Sequence, residues 1–126
     1  MLMLTVPLQE EFAFRGGFQN ALKKLGLRGR FGRLVAIAVT SVGFSLIHYS
    51  AYGDQLTPAL IAILLIAGIA CGFAYEFSGS IWTAVMTHLA YNILGLTVAA
   101  IGLNVFPIFS YSAFAVLVLW GLAALT

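Results

Sequence analysis

Residues 9–17, which read Gln-Glu-Glu-Phe-Ala-Phe-Arg-Gly-Gly, bring two adjacent carboxylates and an arginine into a chain with few charges. If this stretch is helical, Glu11 and Arg15 lie four residues apart on one face and can form an ion pair. Glu10 then points about 100° away from Glu11 around the helix axis. The stretch therefore predicts one carboxylate that is neutralised within its own helix and a second that faces another part of the molecule.

Composition places this charged stretch in a membrane protein. The chain has 126 residues, of which 62% are hydrophobic and 8% are charged, whereas soluble domains contain about 25% charged residues. We therefore expect one domain that is integral to a membrane and has the lipid bilayer as a partner. Basic residues are few, so nucleic acid is not expected as a partner. The single cysteine, Cys71, excludes an intrachain disulfide.

Apolar runs predict the number of helices. Residues 5–25 indicate an apolar helix that is interrupted near Gly16 and Gly17. Three uncharged runs follow it, and the last is long enough for two spans; they are residues 34–53, 55–75 and 77–126. The fold class expected is an all-α membrane protein, a polytopic helical bundle. It has one charged, partly embedded N-terminal helix and about four transmembrane helices.

Two local patterns bear on topology and packing. Five of the six basic residues cluster between positions 23 and 33; they are Lys23, Lys24, Arg28, Arg30 and Arg33. The positive-inside rule places this linker in the cytoplasm, and a site for anionic lipid or a partner is the alternative. Gly68 and Gly72 form a GxxxG spacing that permits close helix approach, although chance also produces such a match in a chain with 13 glycines.

The two histidines are the candidates to face the free carboxylate. His48 follows Phe44 by four residues, and His88 precedes Asn92 by four, so each pair shares a helix face. A lone histidine in an apolar helix is usually a hydrogen-bonded core residue. Here both fall in predicted spans, where ionisable groups mark functional sites. At about 1.5 Å per residue, Glu10 and His48 both lie roughly 20 Å from the basic linker, so they can meet.

These three clusters resemble the motifs of the CAAX protease and bacteriocin-processing family of intramembrane proteases, also called CPBP or Abi. The family's first motif is two glutamates, three other residues and an arginine, and residues 10–15 here read Glu-Glu-Phe-Ala-Phe-Arg. The second is a phenylalanine four residues before a histidine, here Phe44 and His48. The third is a histidine four residues before an asparagine or aspartate, here His88 and Asn92.

The resemblance implies an intramembrane endopeptidase that hydrolyses a peptide bond with an activated water. By the family pattern, Glu10 and His48 activate the water, and His88 and Asn92 stabilise the oxyanion. No cofactor and no metal are implied. The expected substrate is a peptide or membrane protein, which in some members is prenylated; bacterial members are linked to bacteriocin maturation or immunity. The expected location is a bacterial cell membrane.

The remaining motif residues have supporting roles in this scheme. Glu11 and Arg15 are expected to form an orienting pair, and Phe44 to orient the second-motif histidine. Residues 1–126 are expected to form a single protease core. Family members usually carry further apolar helices before the first motif, and nine residues precede Glu10 here, so the core is expected to be shortened at its N-terminus.

Other functions remain open at this point. A zinc-dependent hydrolase could use Glu10, His48 and His88 as ligands and keep one position open, with Asn92 nearby. Cys71 is a weaker candidate, as a nucleophile, because no base lies near it in sequence. A non-catalytic immunity or scaffold protein could retain the charged cluster for packing, and a transporter or proton relay could use embedded glutamate and histidine side chains.

Overall fold

The computed structural model describes residues 2–26, 29–55 and 57–102, and no strand occurs among them. In chain order the elements are α1 (Leu2–Glu11), a π-helical segment (Phe12–Gln19), α2 (Asn20–Lys24), α3 (Gly29–Ile47), α4 (Tyr49–Tyr52), a 3-10 turn (Gly53–Gln55), α5 (Pro58–Ser78) and α6 (Ile81–Ala100). The all-α helical bundle expected from the sequence is confirmed.

Three segments are long and apolar enough to cross a membrane: Gly29–Tyr52, Pro58–Ser78 and Ile81–Val98. They correspond to the first three predicted spans, with boundaries shifted by up to five residues. The chain is an integral membrane protein. The fourth predicted span falls in residues 103–126 and lies outside the described residues.

The first helix, which consists of α1, the π-helical segment and α2, changes its hydrogen-bond pattern at the charged motif. The eight residues of the π-helical segment follow Glu11 directly and contain both Gly16 and Gly17. The sequence predicted an interruption here, and in the structure the interruption is a stretch of wider π-helix rather than a break in the helix. The wider turn buries Arg15 and Gln19 toward the bundle. Such π-helical segments are rare and occur frequently at functional sites.

Helices α3 and α5 pack closely at the two glycines of the GxxxG spacing. A Cβ atom on Gly72 would lie 2.9 Å from Cγ2 of Ile37, and one on Gly68 would lie 3.1 Å from Cβ of Ser41. A side chain at either position would therefore require the neighbouring atoms of α3 to shift. The spacing that sequence alone could not distinguish from chance marks a real helix contact.

Local signals set the ends of α5. The Thr57 hydroxyl caps the helix by accepting a hydrogen bond from the Leu60 backbone N–H at 3.2 Å, and Pro58 occupies the first turn. Gly79 ends the helix with φ of 64°, a left-handed conformation that favours glycine. The chain then turns at once into α6, which packs against both α5 and α1. Because α6 packs against α1, the third motif lies beside the first motif.

Candidate active site

The four residues predicted to carry the chemistry all line one cavity of about 480 Å³: Glu10, His48, His88 and Asn92. They come from α1, the junction of α3 with α4, and α6. His48 was expected inside a span; it lies within Gly29–Tyr52, at the turn between α3 and α4. The structure thus brings the three motifs together, and their catalytic roles stay a prediction.

Glu10 lies between the two imidazole rings. Its Oε1 is 4.0 Å from Nε2 of His48, and its Oε2 is 3.7 Å from Nε2 of His88. Both separations are too long for direct hydrogen bonds, and polar groups at such distances are commonly bridged by water. No described residue donates a hydrogen bond to this carboxylate, whose side chain is 27% exposed. Glu10 is therefore available to a small molecule in the cavity.

Glu11, the adjacent carboxylate, is fully buried and already paired. Its Oε1 accepts a hydrogen bond from Nη1 of Arg15 at 3.0 Å and one from Nδ1 of His88 at 2.8 Å. The Arg15 guanidinium also donates through Nη2 to the Gly68 carbonyl of α5. The predicted Glu11–Arg15 pair is confirmed, and it connects the first motif to the third.

The partners at Nδ1 assign the protonation of each imidazole. His48 Nδ1 lies 2.7 Å from the Phe44 carbonyl oxygen. A carbonyl or a carboxylate oxygen only accepts hydrogen bonds, so each ring carries its proton on Nδ1. Neutral His48 therefore presents a lone pair at Nε2 toward Glu10. His88 can donate from Nε2 only as an imidazolium, and both Glu11 and Glu10 lie close enough to balance that charge.

Aromatic rings fix the orientation of the histidines. The Phe44 ring centroid is 4.6 Å from that of His48 and 5.5 Å from that of His88, and the Arg15 guanidinium lies 5.1 Å from the same ring. On the other side of His48, the Tyr52 ring is stacked at 6.1 Å with an interplanar angle of 18°. Tyr52 was not predicted as a site residue, although its position four residues after His48 was the available signal.

A second polar system connects the first helix to α5, and we call it the polar ladder. It consists of Arg15, Gln19 and Lys23 on the first helix and of Gly68, Gly72 and Glu76 on α5. Gln19 Nε2 donates to Glu76 Oε2 at 3.1 Å and to the Gly72 carbonyl at 3.5 Å. Lys23 Nζ pairs with Glu76 at 3.0 Å.

The polar ladder contains an ion pair that the sequence did not predict. Lys23 was assigned to the basic linker, but it lies in α2 and pairs with Glu76 of α5. A four-residue spacing is present in both helices, and this was the signal that could have revealed the ladder. Pairing is incomplete, since Arg15 Nε and Gln19 Oε1 have no partner among the described residues. A buried atom left unpaired costs about 1–3 kcal/mol.

The zinc alternative finds a different set of ligand atoms from the one expected. Within the described residues, Glu11, Cys71 and His88 each bring one donor atom to within 4.8 Å of the other two. The donor atoms of the expected set, Glu10, His48 and His88, do not come this close together. A dication at the observed group would stand beside the buried Arg15 guanidinium and would displace the His88 bond to Glu11. At Glu11, Cys71 and His88 the charges therefore fit a hydrogen-bonded cluster better than a metal ion.

Cys71 is also poorly placed as a nucleophile. It is 1% exposed and lines neither cavity that contains Glu10. A substrate bound at the histidines therefore cannot reach its thiol without rearrangement of α5.

The rest of the large cavity is mainly apolar. Most of the side chains that line it away from the histidines are aliphatic; they include Val6, Leu60, Ile63, Leu64, Ala67 and Leu96. Such a surface suits an apolar segment or group of a substrate and lowers the local dielectric around the polar residues.

Comparison with known families identifies the group to which the chain belongs. A model of the type II CAAX prenyl endopeptidase Rce1-like family matches residues 1–94. All three motifs lie in this range, so the resemblance inferred from them is confirmed. Comparison with curated proteins and with solved structures gives no match. The matched region includes every described residue that lines the large cavity except Gly95 and Leu96, and on this evidence the chain belongs to the type II CAAX prenyl endopeptidase Rce1-like family.

Proposed function

We propose that this protein is an intramembrane endopeptidase in which Glu10 and His48 activate the attacking water without a bound metal. The family supports a protease of the CAAX type, and the three spans and the apolar cavity suit a lipid bilayer and a peptide substrate. The observation that carries the mechanism is the position of the free Glu10 carboxylate between two histidine Nε2 atoms, at 4.0 and 3.7 Å.

The activation step follows from the hydrogen-bond roles. A water between Glu10 Oε1 and His48 Nε2 can donate one hydrogen to each, since both atoms are acceptors. As the water oxygen bonds to the carbonyl carbon, its proton passes to this pair. The same proton is delivered to the leaving nitrogen when the carbon–nitrogen bond breaks. The products are a carboxylic acid and an amine, and the pair is restored.

The oxyanion is stabilised on the other side of Glu10. His88, as an imidazolium, donates from Nε2, and the Asn92 amide adds a second N–H donor. With two carboxylates, one guanidinium and one imidazolium, the cluster of Glu10, Glu11, Arg15 and His88 has no net charge before the reaction. When Glu10 accepts the proton, the negative charge moves to the oxyanion, beside the imidazolium.

The proposal is tested by incubating purified protein in lipid nanodiscs with a peptide library that includes prenylated CAAX peptides. Glu10→Gln keeps the shape of the side chain and removes the base, so cleavage should stop while the melting temperature is unchanged. Glu76→Gln is the matched control, since it alters a glutamate outside the cavity, and it should retain cleavage. Full cleavage by Glu10→Gln would refute the mechanism.

Metal dependence is tested separately. Exhaustive chelation should leave the rate unchanged, because neither the base nor the oxyanion donors require an ion. Loss of cleavage with chelator, restored by stoichiometric zinc, would replace the mechanism with a metal-dependent one at the same site. A non-catalytic immunity or scaffold role is the competing function, and it would be supported if no peptide of the library is cleaved. The bacterial location stays a prediction.

A further inference from the structure

A second cavity, of about 340 Å³, also has Glu10 and His48 in its lining. Its wall is formed by Gln9, Glu10, Ala13, Phe14, Ile47, His48, Ser50 and Ala51. Glu10 and His48 are the two residues it shares with the large cavity, whereas His88 and Asn92 line the large cavity alone. The two cavities therefore meet at the pair that would activate water.

We propose that this small cavity supplies the hydrolytic water to Glu10 while the large cavity holds the substrate. The inference rests on the proposed function of the site. A peptide seated against His88 and Asn92 fills the large cavity and displaces the water there. The attacking water must then reach Glu10 by another route, and the small cavity touches the base without touching the oxyanion donors.

The chemistry of the small cavity suits water. Four of its eight lining residues carry polar side chains: Gln9, Glu10, His48 and Ser50. Its volume far exceeds the ~30 Å³ that one water occupies in the liquid, and a water site needs about two to four polar partners. The small cavity therefore offers both the room and the polar partners that a water site needs.

The position of the small cavity gives water a way in. Ile47, Ser50 and Ala51 belong to the last six residues of the span Gly29–Tyr52, and the exposed Asp54 follows directly in the chain. This end of α3 therefore lies at the edge of the membrane. On the opposite wall, Ala13 lies one turn beyond Glu10 on the first helix and is exposed to the cavity.

Cysteine labelling tests the presence of water independently of activity. A charged methanethiosulfonate reagent, which reacts with thiols in water, should label Ala13→Cys in the protein held in lipid nanodiscs. Ala38→Cys is the matched control, since it is exposed in the middle of α3 and lines neither cavity; it should stay unlabelled. Native Cys71 is buried and should also stay unlabelled. An unlabelled Ala13→Cys would overturn the proposal.

The role in hydrolysis is tested with the same position. Ala13→Leu, which fills the cavity, should lower kcat by about tenfold or more at unchanged KM, the pattern of a step after substrate binding. Ala51→Leu fills the small cavity from the other wall, and it is the alternative variant if Ala13→Leu does not fold. Unchanged kcat in both variants would overturn the proposal. If Ala13→Cys is labelled but the wild-type protein cleaves nothing, the proposed function fails and the water cavity stands.

Discussion

Two groups of polar side chains on the first helix differ in how they are paired. In the polar ladder, Arg15, Gln19 and Lys23 each bond to α5, and the first two are fully buried. At the large cavity, Glu10 is part-exposed and has no hydrogen bond from a described residue. The contacts of the first group position a helix. The Glu10 carboxylate of the second group is free to bind a water or a substrate group.

The first motif therefore serves two purposes, one structural and one proposed to be chemical. Glu10 and Glu11 are adjacent, yet the helix points them into different surroundings, one into a cavity and one into the packed interior. Glu11 and Arg15 stabilise the bundle through His88 and Gly68, so Glu10 is held in place by its neighbours rather than by its own bonds. Stability and chemistry should therefore separate on mutation.

The largest effect on stability is expected from Arg15→Ala. Removing the guanidinium leaves the Glu11 carboxylate buried with one partner fewer, and breaking a buried pair costs about 3–5 kcal/mol. The melting temperature and the folded yield in detergent should fall sharply. Arg33→Ala removes an exposed arginine of α3 and should leave both unchanged. Equal melting temperatures for the two variants would contradict the ladder's structural role.

Asn92→Ala should lower activity and leave stability unchanged. The side chain lines the large cavity and is proposed to donate to the oxyanion, so its loss should lower kcat by about 10²–10³ and leave a measurable remnant. The melting temperature should stay within a degree or two of the wild-type value. An unchanged kcat would remove Asn92 from the oxyanion site, and a large loss of stability would assign it to packing instead.

Gly72→Ala tests the close contact on which the ladder depends. The new methyl group would lie 2.9 Å from Ile37 Cγ2, and overpacking of this kind costs about 1–3 kcal/mol. Gly16→Ala is the matched control, because a Cβ there meets nothing within 4 Å. Thermal unfolding should show loss of stability for Gly72→Ala only. A stabilised Gly72→Ala variant would show that α3 and α5 are not in close contact.

The smallest effect is expected at the outer end of the ladder. The Lys23 side chain is 27% exposed, and ion pairs with access to solvent contribute about 1 kcal/mol or less. Lys23→Ala should therefore lower the melting temperature slightly, and the change should shrink as salt is added. Lys24→Ala, at the exposed neighbouring position, should have no effect. A loss as large as that of Arg15→Ala would mean that the ladder is stabilised from its outer end.

The membrane class, the helical bundle, the three motifs and the Glu11–Arg15 pair could all be predicted from the sequence. These features depend on composition or on residues four apart in one helix, where geometry is local. The family assignment also followed from residues that can be read in order along the chain.

Only the tertiary structure decided which groups meet across the bundle. The bond between His88 and Glu11 joins residues 77 positions apart, and the Lys23–Glu76 pair and the small cavity likewise depend on how separate helices are placed. No local pattern specifies that placement, because it depends on close packing at Gly68 and Gly72 and on the direction each helix takes after its turn. The i,i+4 spacing that separates the paired Glu11 from Glu10 acts within one helix, whereas the partners that each carboxylate meets on other helices depend on how those helices pack.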